Sequence, residues 1–141
     1  LSRNLSGALT LLPWLTREPP YLVISNHGMA FWVTTPLWLM LLWPKERSDL
    51  HRALWLTVLA TALPSLLYQN DGWIQFGYRF SNDYGLFLLM LLAVGARPFK
   101  RVFWAGLVLA VAINLFGAVT FNRMPWFYDS DMSAASIFQP D

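Results

Sequence analysis

VFWAGLVLAVAINLFGAVTF, residues 102–121, runs twenty residues without a charge. A helix rises about 1.5 Å per residue, so this stretch matches the roughly 30 Å hydrocarbon layer of a bilayer. A helix lying on a soluble core would show a polar face every third or fourth residue. Here Asn114 is the one polar side chain deep in the run.

Three further apolar runs precede it, at Gly28–Trp43, Arg52–Tyr68 and Phe80–Ala96. Each is near the lower limit of about 17 residues for a span. Asp83 is their only internal charge, short polar loops divide them, and aromatic residues mark their ends. Taken together, the runs predict an all-α integral membrane bundle of about four transmembrane helices, at 28–43, 52–68, 80–96 and 102–121. Residues 1–27 read as an outer-side interfacial or extramembrane segment, broken by Pro13, Pro19 and Pro20. The alternative is the end of an earlier spanning helix. Residues 122–141 read as an outer-side tail. The chain opens at Leu1 without a signal-peptide pattern, so the expectation is a C-terminal fragment of a larger polytopic protein.

Composition agrees with lipid as solvent. Of the 141 residues, 56% are hydrophobic and 13% charged, against about 25% charged in soluble domains. A soluble domain of this make-up would expose large apolar patches. The absence of cysteine excludes disulfides, thiolate catalysis and Cys-ligated metal. A net charge of +2 gives no case for nucleic acid.

Lys and Arg set the orientation. Six of the ten basic residues sit in two short loops: Lys45, Arg47 and Arg52 in one, Arg97, Lys100 and Arg101 in the other. Those loops are expected in the cytoplasm. The N-terminal segment, the loop 69–79 and the tail are expected outside, so both ends lie on the periplasmic or extracellular face.

Two helix faces look built for contact. Gly106, Ala110, Asn114 and Gly117 recur at spacings of four, four and three. Small residues there let backbones approach, and the Asn can hydrogen-bond across the seam. The second face is Thr57, Thr61 and Ser65, stacked at spacing four. Pro36 and Pro64 should kink their helices, and Thr and Ser hydroxyls can satisfy the freed carbonyls. His27 and His51 fall on opposite sides and cannot share a metal; each reads as an interfacial polar residue. Phosphate loops, zinc-protease motifs and nucleophile elbows are absent from the sequence.

The stretch with chemical content is QNDGWIQFGYRFSNDYG, residues 69–85. Its candidate substrate-binding residues are Trp73, Gln75, Tyr78, Arg79 and Asp83. One reading is a headgroup-level anchor: aromatic platforms, Arg79 on lipid phosphate, and Asp83 at a helix N-terminus. The other is a site at the outer mouth of the bundle, with Arg79 gripping a phosphate and the aromatics stacking on a sugar or isoprenoid. Ionisable groups at membrane depth are functional candidates by default.

Two stretches, GMAFWVTTPLWLMLL (28–42) and GWIQFGYRFSNDYGLFLL (72–89), flank a basic loop and a short helix. In this order they resemble the C-terminal membrane region of bacterial GT-C type glycosyltransferases that use polyprenyl-phosphate sugars, or of related polytopic membrane proteins without an assigned activity, over about residues 26–120. The resemblance implies a bacterial inner (plasma) membrane location. It implies a lipid-phosphate-linked sugar as donor substrate, no cofactor, and a catalytic acid in a loop upstream of this chain, with no acid here inheriting that role. The implied partners are membrane lipid, the polyprenyl-phosphate sugar and missing upstream helices of the same chain. Donor-phosphate contact carries over to Arg79 by position. Competing functions are a non-catalytic structural membrane module and a transporter subunit. Intramembrane charge, which transport would favour, is scarce.

Overall fold

The computed structural model describes residues 1–69, 74–95 and 98–129. The molecule is mostly helical, and the charge-bearing loops segregate to two ends.

At one end lie α1 (Ser2–Thr10) and the short strands β1 (Trp14–Leu15), β2 (Leu22–Ser25) and β3 (Tyr128–Asp129). β1 pairs antiparallel with β2, and β2 pairs parallel with β3, Ile24 opposite Tyr128 and Ser25 opposite Asp129. This small sheet departs from the purely helical expectation. Strands of two to four residues, one of them about a hundred positions from its partner, carry no periodic signal, so only tertiary contact defines them. Residues 74–78 join the same end: Gln75 N–H donates to Asn26 O at 3.0 Å and Tyr78 N–H to Met29 O at 3.0 Å. At the opposite end, Lys45 N–H donates to Gly95 O at 3.0 Å and joins the two basic loops.

Between these ends the chain runs through α2 (Phe31–Thr34) and a 3-10 helix Pro36–Leu42, then α3 (Asp49–Leu67), α4 (Asn82–Val94) and α5 (Arg101–Thr120). By length and composition, α3 and α5 can each cross a membrane. The other two passages differ from the uniform helices expected. α4 is thirteen residues, about 20 Å, and starts after a 3-10 turn at Arg79–Ser81. The first passage is not one helix. Pro36 pushes Thr35 out of the helical region, to φ −138° and ψ 81°, and the chain restarts as a 3-10 helix.

The core is the α3–α4 pair. α3 buries Leu54, Val58 and Ala62 at helical spacing against Tyr84, Leu88 and Leu91 of α4, and Leu41 closes one side. Outward faces carry Leu56, Leu86, Val102, Val108 and Leu115, all exposed. α1 packs against α2 and α3. The buried Asn4 amide donates to Leu66 O at 3.1 Å and to Tyr68 O at 2.6 Å, capping carbonyls at the C-terminal end of α3.

The proline breaks are satisfied otherwise than expected. Thr61 and Ser65 donate to carbonyls of Thr57, Val58, Thr61 and Ala62, not to Ala60, which Pro64 leaves without its helical donor. At the Pro36 break the donor comes from another element: Asn114 Nδ2 of α5 reaches Thr34 O at 2.8 Å. Both histidines are buried within the chain, at 6% and 5% exposure. His27 lies under the 74–78 segment, its carbonyl accepting from Gln75 Nε2 at 2.7 Å. His51 packs among Leu41, Pro44 and Leu91, its backbone N–H capped by Ser48 Oγ at 3.2 Å.

Candidate functional site

The segment 74–79 is strapped onto residues 26–29. Gln75 provides much of the strap. Its backbone N–H and its side-chain amide bond the carbonyls of Asn26 and His27, while its Oε1 accepts the Arg79 backbone N–H at 3.1 Å. Close approach requires glycine at two places. Gly28 has φ +88°, and a Cβ there would sit 2.8 Å from Gln75 Cγ. A Cβ on Gly77 would sit 2.9 Å from the Thr34 methyl. Gly117 of α5 makes room for Phe76 in the same way, with 2.5 Å to the ring.

The strap forms one wall of a cleft of about 420 Å3. Gln75, Tyr78 and Arg79 line that wall; Thr34, Thr35 and Trp38 line the second; Asn114 of α5 and Phe121 just beyond its end close the third. Ser81, Asn82 and Gly85 contribute from the start of α4. Asn114 lies six residues before Thr120, so the cleft reaches about 9 Å along α5 from its C-terminal end. Among the described residues lining it, Arg79 is the one charged side chain and carboxylates are absent. The rest are amide and hydroxyl groups between aromatic walls. Phe121 is backed edge-on by Tyr128 at 5.6 Å. The Tyr128 hydroxyl bonds Thr120 at 2.7 Å. Burial raises its pKa, the Thr120 bond opposes part of that rise, and the phenol stays neutral at physiological pH.

Such a lining suits an anion carrying hydroxyl groups. Arg79 is exposed and its guanidinium lies 5.4 Å from the centre of the Phe80 ring, which leaves its forked donors open to an oxyanion. Thr35 adds a hydroxyl, while Asn114 and Ser81, whose donors are held by the carbonyls of Thr34, Ala110 and Tyr78, add acceptor oxygens.

Three of the five candidate residues, Gln75, Tyr78 and Arg79, therefore meet in one cleft. Gln75 and Tyr78 are buried, at 4% and 3% exposure, and Gln75 is largely committed to holding the strap. Asp83 is exposed one turn along and lines no part of the cleft. Among the described residues no ion pair joins it to Arg79. Trp73 lies outside the described residues. Thr34, Thr35, Trp38, Ser81, Asn82 and Asn114 were not among the candidates. The signal available for the first two was the Thr-Thr-Pro triplet, which marks a helix break; for Asn114 it was a lone amide deep in an apolar run. No protein-family model matches this chain, and no curated protein or solved structure is significantly similar to it.

Proposed function

We propose that this chain is the C-terminal membrane part of a bacterial inner-membrane glycosyltransferase, whose cleft at Arg79 holds the phosphate and sugar of a polyprenyl-phosphate-linked donor. The observation that carries the reading is the cleft itself: one guanidinium, with no carboxylate among the described lining residues, set among amides, hydroxyls and aromatic rings. A phosphodiester needs the cation, a sugar needs hydrogen-bond partners and stacking faces, and an isoprenoid tail needs the apolar flank.

The membrane frame is a four-span arrangement with the basic loops in the cytoplasm and both ends of the chain outside. Supporting the spans at α3 and α5, only 11% of the most apolar stretch of α5 and 22% of that of α3 is buried within the chain. Core helices of a soluble domain would be mostly covered. The pairing of β2 with β3 and of Gln75 with Asn26 supports putting the three outer segments on one side.

A second reading, a non-catalytic structural module, draws on the strap. Gln75, Gly77 and Tyr78 have sufficient structural reason to be where they are, and only Arg79 lacks one. Arg79 therefore separates the two readings. The chain reconstituted in vesicles is expected to bind a polyprenyl-phosphate sugar saturably. Arg79→Lys should weaken binding roughly ten- to a hundredfold while melting is unchanged. Equal binding by wild type and Arg79→Lys, or no saturable binding by either, would leave the structural module.

A further inference from the structure

At the opposite end of the molecule a second concavity, of about 890 Å3, opens between the 3-10 helix 36–42 and the first half of α5. Its walls are apolar: Leu37, Met40, Val102, Phe103 and Leu109, with Gly106 in the floor. The floor exists because Gly106 has no side chain; a Cβ there would already lie 3.2 Å from Leu37 Cδ2. Lys45 and Lys100 line the groove at the basic-loop end. Leu109 lies nine residues beyond Lys100, about 14 Å along α5.

The groove is thus amphipathic along its length, with two cations at one end and hydrocarbon for the remainder. Among the described residues no carboxylate pairs with either lysine. Glu46, beside Lys45 in sequence, does not line the groove. A lysine lays its stem on apolar surface and keeps its ammonium at the polar boundary. A packing helix would fill the apolar length but would give the two lysines no partner. An amphiphile with an anionic head matches both parts.

We propose that this groove binds one anionic phospholipid of the cytoplasmic leaflet, an acyl chain lying along α5 and the phosphate held by Lys45 and Lys100. The proposal rests on the membrane reading above and is independent of the sugar donor. Anionic lipid and cationic pocket meet on the cytoplasmic side, where such pockets recruit headgroups.

The test uses the full chain purified in mild detergent, mixed with phosphatidylglycerol and phosphatidylcholine and read by native mass spectrometry. Wild type is expected to retain one phosphatidylglycerol and to prefer it by about thirtyfold. Lys45→Gln/Lys100→Gln should bring that preference close to one. Arg47→Gln/Arg101→Gln removes the same charge at the same end but off the groove, and should keep it. Ala105→Phe fills the groove from an exposed position on its wall and should abolish retention of both lipids; if that variant aggregates, the lysine pair decides alone. An unchanged preference in the lysine variant, or an equal loss in the arginine control, overturns the proposal. So does a lipid-free dimer that Ala105→Phe dissociates. Alkaline extraction of the membrane fraction keeps the failures apart. A chain released into solution ends the membrane reading, whereas a retained chain without lipid preference ends this inference only.

Discussion

α3 and α4 meet through bulky side chains, whereas α5 meets the first passage and the strap through small ones. On the first seam, Leu54 and Val58 face Leu88 and Leu91. On the second, Gly106 meets Leu37, Asn114 meets the Thr34 carbonyl and Gly117 meets Phe76. In lipid there is no hydrophobic drive between helices, so association depends on close packing and hydrogen bonds. The two seams obtain that packing in opposite ways. Interdigitated leucines fill the space between α3 and α4. Glycines bring α5 close at two points and leave gaps elsewhere. Among the described residues, the cleft beside Arg79 and the groove beside Lys100 both lie along the α5 seam. The small-residue seam therefore leaves room for a ligand at each of these two places.

Opposite responses to side-chain size would sharpen this contrast. Leu88→Ala should cost the most, about 3 kcal/mol, because the buried α3–α4 seam cannot collapse around the missing atoms. Gly117→Ala should follow at about 2 kcal/mol, through overpacking against Phe76. Unfolding in mixed micelles measures both. If Gly117→Ala proved neutral while Leu88→Ala did not, α5 would be loosely held and the contrast would fail. Asn114→Ala should cost about 1 kcal/mol, since it strands the Thr34 carbonyl at the Pro36 break. Leu115→Ala, on the exposed face of the same helix, should cost under about 0.5 kcal/mol. Equal losses at Asn114 and Leu115 would mean the hydrogen bond does not hold the seam.

The residues differ in how far their roles could be read from sequence. The α5 seam was readable, because Gly106, Ala110, Asn114 and Gly117 repeat at helical spacing and small residues in an apolar helix have few other uses. The grouping of the basic loops was readable from charge alone. The Thr35–Pro36 break was half readable: proline announces an interruption but does not say that the chain restarts as a 3-10 helix. The strap was not readable. Gln75 looks like a ligand-binding amide until its partners, carbonyls 48 residues away, come into view, and a backbone acceptor leaves no mark in sequence. Arg79 stood out as the lone cation of its segment, and the cleft gives it a setting. Asp83 stood out as the one charge inside its apolar run, and it lines no part of the cleft.

All of this depends on the two ends of the molecule being the two sides of a membrane. Single cysteines at Glu46 and Pro98, in the loops joined through Gly95, and at Gln69 and Asn122, at the strap end, test that directly with a membrane-impermeant thiol reagent. The native chain has no cysteine to interfere. Intact cells should label Gln69→Cys and Asn122→Cys alone, and Glu46→Cys and Pro98→Cys should label only after the membrane is opened. Labelling of all four in intact cells, or of one position from each end on the same side, would contradict the account.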